Sequence, residues 1–217
     1  MDMNTIFNPE NRFWSFMTKI TDVLFIGILW GVASIPVFTA GAATTSLYQF
    51  TLKQADDEEG YVWKSFWRAF RRNFRQATVL WLIILAAGLF VAADLWACMT
   101  ITVPGVVRVV CFALLLCAAL ACILTALYVF PILSRFDLPV KTILTHGFIM
   151  AMGNLHISIT ILVIYVIFLA LSWRYLLLFP MLMALAAFCS SYLFRYVFSR
   201  YWDKEEPEST GSEEEEP

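Results

Sequence analysis

A chain of 217 residues that is 60% hydrophobic and 15% charged is not an ordinary soluble domain, for which about 45–50% apolar and about 25% charged residues are usual. The formal net charge of -2 conceals two opposed parts, because seven glutamates fall within residues 205–217 while all 15 lysines and arginines lie upstream. Apolar runs of about 18 residues or more call for a bilayer, so residues 1–202 read as a single integral membrane domain and 203–217 as a disordered acidic tail.

The start of the chain does not read as a cleaved signal. Its first basic residue is Arg12, Asp2 and Glu10 are acidic, and the apolar run after Lys19 is too long. Asn8-Pro9 suits a helix start, since Asn can cap and Pro loses nothing at the first helical position. The first span is expected over about 14–34, and Ile35-Pro36 should end it because the residue before proline avoids helical angles.

Thr39 is then placed to cap a short second helix over 39–54. Its length of roughly 22 Å falls below the roughly 30 Å of hydrocarbon. The non-helical link 34–39 must therefore lie partly at membrane depth, which is tolerated only where it packs in protein or faces water. Pro36, Thr39, Gly41, Thr44 and Tyr48 are the residues expected to shape this return pass, with Gly41 and its small neighbours giving a face for close helix packing.

After the solvated turn Asp56-Asp57-Glu58-Glu59-Gly60, the period is helical over 62–76. Trp63, Phe66, Trp67 and Phe70 share one face, while Lys64, Arg68, Arg71, Arg72 and Arg75 occupy the other. Aromatics opposite cations describe an amphipathic helix lying in the bilayer surface. It permits binding to an anionic inner leaflet or docking of a partner, and it disfavours nucleic acid because its aromatics would face lipid.

Four further spans are expected at about 77–97, 106–130, 156–171 and 175–194, with a partly amphipathic helix after Pro139. The basic flanks are Lys53 to Arg75, Arg135 to Lys141, and Arg195, Arg200 and Lys204. The positive-inside rule places all of them in the cytoplasm. Six passes, with both termini cytoplasmic in a bacterial cell membrane, satisfy every flank, whereas five would put Arg12 and Lys19 outside. The expected fold is thus an all-α polytopic membrane protein of six passes, the second short and led by a proline break, plus a cytoplasmic interfacial helix.

Chemistry is sparse. No phosphate loop, zinc-protease or nucleophile-elbow motif occurs, so neither an enzyme nor a cofactor or metal site is expected. Cys98, Cys111, Cys117, Cys122 and Cys189 read as small buried hydrophobes, and His146 and His156 as hydrogen-bonded interfacial residues. Asp94 and Arg108 flank one outer hairpin and are expected to pair across it. No charge lies at the midplane, which disfavours a proton relay.

The run PVFTAGAATTSLYQF, the acidic turn ending in Gly60, the run FWRAFRRNFRQAT, and YVFPILSRF before Lys141 resemble the YesL-like family of small bacterial membrane proteins of undefined activity. The resemblance is carried by Pro36, Gly41, Thr44, Tyr48, Phe66, Phe70, Asn73, Pro131, Arg135 and Phe136, to which structural roles are expected. Relatives occur beside ATP-driven carbohydrate importers, so the resemblance implies an accessory or scaffolding role with membrane transporter subunits in sugar uptake. The alternative is a self-sufficient permeation protein for a small neutral solute such as a sugar.

Overall fold

The computed structural model describes residues 12–56, 58, 60–100 and 105–202, with side chains described from Met17 to Tyr201. The expected helix start at Asn8-Pro9 and the acidic tail 203–217 lie outside the described residues. Where backbone groups cannot reach water, a helix satisfies them within one segment, and these apolar runs take that solution throughout. Among the described residues there are seven α-helices and no strand. They are α1 (Arg12–Ala33), α2 (Ala40–Ala55), α3 (Val62–Thr100), α4 (Gly105–Arg135), α5 (Val140–Gly153), α6 (Leu155–Arg174) and α7 (Phe179–Trp202). Single helical turns at Val37–Thr39 and Leu176–Leu178 precede α2 and α7.

Four of these segments, α3, α4, α6 and the stretch Leu176–Tyr201, are long and apolar enough to cross a membrane. The chain is an all-helical, membrane-embedded protein. The expected passes 14–34 and 39–54 correspond to α1 and α2, and α2, with 16 residues, spans only about 24 Å.

The break between α1 and α2 falls where the sequence places it, with Pro36 extended at φ -75° and ψ 115°. Thr39, however, does not cap α2 through its side chain. Its hydroxyl lies 2.6 Å from both the Ala33 and Pro36 carbonyl oxygens, as a donor. A helix leaves its last carbonyls without partners, and here that need at the end of α1 claims the hydroxyl.

The largest departure concerns α3. The expected interfacial helix 62–76 and span 77–97 form one helix of 39 residues, about 58 Å long. The change from cationic to apolar composition at Ala77 is not a backbone break, and no proline occurs from Val62 to Thr100. The aromatic face is also assigned differently. Phe66 is fully buried, and Val62, Trp67, Phe70 and Phe74 pack against the protein core, so this periodic face meets protein rather than lipid. Trp63 alone of the group is largely exposed, at 57%.

Pro131 lies inside α4 rather than ending it. A proline in a helix interior costs about 3 kcal/mol, but only one turn follows it here. The buried run Val129 to Ser134 holds that turn against the core.

The core is organised on α2, twelve of whose sixteen residues are buried. Small residues permit this. A Cβ on Gly41 would stand 2.7 Å from both the Ala77 carbonyl oxygen and the Trp81 Cβ, so α3 approaches α2 at backbone distance. Gly27 and Gly31 do the same for α1 and α7, where an added Cβ would meet Pro180 within 2.8 Å and 2.7 Å respectively. Without a water-driven hydrophobic force between helices, such close contact is how helices in lipid associate.

Beyond this core, α3 and α4 continue as a two-helix hairpin. No described residue from 81 to 100 or from 105 to 123 is buried. In the most apolar 18-residue stretch of each helix only 6% of residues are buried. The five cysteines are corrected here as well. Cys111, Cys117 and Cys189 are exposed, Cys98 and Cys122 half-buried, and all are unpaired thiols. On the hairpin the two helices cover only one side of each other, which leaves Cys111 and Cys117 exposed.

Candidate functional site

Irregular backbone at membrane depth is stable only if its polar groups find partners, and the link between α1 and α2 supplies them from within. Ser34 N–H donates to Trp30 O at 2.9 Å, and Thr39 N–H to Pro36 O at 2.9 Å. The Trp81 indole N–H donates to Val37 O at 2.8 Å. Meanwhile the side chains of Ile35, Val37 and Phe38 point outward, 76%, 64% and 55% exposed. The link therefore presents apolar side chains outside and pairs several of its backbone groups inside, while the Ser34 hydroxyl is buried with no partner among the described residues. Farther along α2, Thr44 accepts from the Trp30 indole at 3.1 Å, and Tyr48 hydrogen-bonds Tyr165 of α6 through their hydroxyls.

The cations of α3 keep their predicted face. Lys64, Arg68, Arg71, Arg72 and Arg75 are all exposed. Arg72 pairs with Asp137 at 2.8 Å, and Gln76 donates to the Leu138 carbonyl, which fastens α3 to the connection between α4 and α5. Lys64, Arg68, Arg71 and Arg75 have no carboxylate partner among the described residues.

Sequence reasoning missed the ion-pair clamp beside them. Asp56, at the end of α2, lies 3.0 Å from Arg135 of α4 and 3.2 Å from Arg195 of α7. Arg195 also donates to Ala55 O at 2.7 Å. One carboxylate thus gathers the ends of α2 and α4 and the C-terminal half of α7. Its only sequence signal was an acidic turn near several basic flanks, which solvation explains equally well.

A second unpredicted network fixes the corner between α5 and α6. Ser158 has one hydroxyl proton and reaches Ala151 O at 2.9 Å and Asn154 O at 3.0 Å. The Tyr128 hydroxyl is therefore the donor in its 2.9 Å contact with Ser158. Asn154 donates to the Tyr201 hydroxyl at 3.1 Å. Four helices meet in this chain of bonds.

Asp94 and Arg108 lie on the facing arms of the α3–α4 hairpin, where Cys98 Sγ approaches Arg108 O at 3.9 Å. Among the described residues no group of three His, Cys, Asp or Glu side chains is arranged to hold a metal ion.

The end of α2 and the start of α3 enclose an open cleft of about 280 Å³ whose polar lining includes Lys53, Glu58, Lys64, Ser65 and Arg68. Lys53 and Glu58 approach each other at 3.5 Å across it.

Comparison with known proteins now adds to this geometry. Residues 11–95 match a family described as a protein of unknown function, DUF624. Over 153 residues the chain is 26% identical to the uncharacterized protein YesL of Bacillus subtilis (strain 168), covering 70% of this chain and 71% of that one. Together these findings support a YesL-like family member. No solved structure matches the chain. The family match takes in α1, the proline-led link, α2 and the cationic face of α3, and it ends one residue past Asp94. The matched residues thus include the close contact of α2 and α3 at Gly41.

Proposed function

We propose that this chain is an accessory integral membrane protein that binds another membrane component through its α3–α4 hairpin and the cationic face of α3. The observation that carries this reading is the hairpin itself. Two of the four helices apolar enough to cross a membrane are covered by little of their own chain, which gives a partner in the lipid two long faces. The exposed cations on the same α3 rod offer a second contact outside the lipid. In its specific form the partner is a subunit of an ATP-driven carbohydrate importer, which rests on the family resemblance and not on any geometry here. No catalytic role is assigned.

The proposal includes six passes with both termini cytoplasmic. It is supported by the exposed apolar tip at Ile35, Val37 and Phe38, which would be costly in water and is at home in lipid. The hydrogen bonds that satisfy the backbone of that tip support it as well. A reporter fused before Asn8 that is active outside the cell would remove the six-pass count.

The partner is tested by isolating the full chain from its native membrane at graded detergent strengths. Recovery with a multisubunit importer at the milder strengths is the expected result. A lone species under every condition would sink the accessory reading. Permeation of a neutral solute would need the proline-led pass to line a cavity, whereas the small face of α2 lies against α3 backbone at Gly41. Sugar flux through vesicles holding this chain alone would reverse that preference.

A further inference from the structure

The charge of the whole chain falls into two unequal parts. Residues 1–202 carry 14 lysines and arginines against nine aspartates and glutamates, whereas residues 203–217 carry eight acids and one lysine. Several acids of the first part already have cations. Asp56 is held by Arg135 and Arg195, Asp137 by Arg72, and Glu58 by Lys53. Arg71 and Arg75, four residues apart on an exposed face of α3, have no carboxylate partner among the described residues.

The acids of the α2–α3 turn are remote from that face. Glu58 N–H donates to the Lys53 carbonyl at 2.9 Å, and the peptide bonds to Asp57 and Glu59 keep their Cα atoms within about 3.8 Å of its own. That places the turn at the Lys53 end of α2. The other end meets α3 where a Cβ on Gly41 would touch the Ala77 carbonyl oxygen, two residues past Arg75. The helix between Gly41 and Lys53 separates the two places by about 18 Å.

The end of α7 lies close to the arginines instead. Phe198 and Phe136 have ring centroids 5.6 Å apart, one peptide bond joins Phe136 to Asp137, and Asp137 pairs with Arg72 at 2.8 Å. This path bounds the separation of Trp202 from Arg75 at about 40 Å. Residues 203–216, fully extended, cover about 45 Å.

We propose that the acidic stretch, through Glu213 to Glu216, docks on the Arg71 and Arg75 face of α3. Two like charges at this helical spacing repel each other, and each guanidinium can take a carboxylate through two parallel hydrogen bonds. The tether makes the encounter intramolecular, at an effective concentration on the order of millimolar. The stretch thereby covers part of the face offered to a membrane partner until that partner displaces it. The docking itself does not rest on there being such a partner.

The test uses the purified full chain in phosphatidylcholine nanodiscs, treated with the guanidinium reagent phenylglyoxal. Modification rates at Arg71, Arg75 and Arg174 are read by peptide mass spectrometry. The comparison protein carries Glu213→Gln, Glu214→Gln, Glu215→Gln and Glu216→Gln together. Arg71 and Arg75 should react about threefold faster in it than in the parent, as a face covered about two-thirds of the time requires. Arg174, exposed at the end of α6, should react equally in both, which also reports an intact fold. At about 1 M salt, where the screening length is about 3 Å, the parent should match the variant.

Equal rates at Arg71 and Arg75 in the two proteins at low salt would overturn the docking. Protection that weakens on dilution of the discs would assign it to the acidic stretch of a second copy and overturn the intramolecular contact. In phosphatidylglycerol nanodiscs the difference between parent and variant should persist. Its collapse, with both proteins slow, would make anionic lipid the occupant and overturn the proposal. The sample holds no importer, so a failed partner reading leaves this result standing.

Discussion

The Trp81 indole N–H donates to the Val37 carbonyl oxygen across 2.8 Å, joining the longest helix of the protein to the irregular turn between α1 and α2. Trp81→Phe keeps an aromatic ring and removes the donor, leaving the Val37 carbonyl with the Ala40 N–H alone. Losing one such hydrogen bond costs roughly 0.5–1.5 kcal/mol. The expected outcome is a loss of stability of that size, measured by denaturant titration in micelles. An unchanged midpoint would show that water reaches the turn.

Close approach at glycine should be position-specific. A Cβ at Gly41 would lie 2.7 Å from the Ala77 carbonyl oxygen, a backbone atom, whereas one at Gly88 meets nothing within 4 Å. Gly41→Ala should therefore destabilise by about 1–3 kcal/mol through overpacking. Gly88→Ala should be neutral or stabilising, since Gly in a helix is worse than Ala by about 1 kcal/mol. Thermal unfolding of the two variants side by side provides the comparison.

The Asp56 clamp should be sensitive to salt. Its carboxylate side chain is 25% exposed, while those of Arg135 and Arg195 are 40% and 53% exposed. Screening therefore discounts each pair to about 1 kcal/mol or less. The parent protein should lose stability as salt rises toward about 1 M, where the screening length is about 3 Å. Asp56→Asn should start lower and show a flatter salt response, which parallel melts across ionic strength would reveal.

Tyr128 and Ser158 should be energetically coupled. Tyr128→Phe removes the donor, Ser158→Ala the acceptor, and the double variant removes both. Residues sharing one hydrogen-bond network show interaction energies of roughly 0.5–3 kcal/mol. Additive losses in a double-mutant cycle would mean that the two hydroxyls find other partners independently.

Much of the helix layout could be read locally. Pro36 ends α1 by restricting its own and its predecessor's angles, and the apolar runs of α6 and α7 have the length of a membrane crossing. Local pattern misleads where a face is identified but its covering is not. The spacing of Phe66, Trp67, Phe70 and Phe74 shows that one side of α3 is apolar, and either lipid or protein could meet it. Composition likewise suggested a boundary at Ala77 where the backbone has no reason to stop.

The expected span 106–130 stops short of Pro131, because the rule for proline takes no account of how little helix follows it. The Asp56 clamp depends on where three helices distant in sequence come together, which no local window contains. Gly27 and Gly31 carry the small-residue spacing for close packing, but its meaning requires knowing that Pro180 stands opposite.

Because α3 runs from Val62 to Thr100 without a proline, its two ends cannot turn independently. A torque applied at Arg68 or Arg75 is delivered to Trp96 at the far end of the same shaft. Whatever grips the charged end of this protein therefore also steers the apolar hairpin at the other.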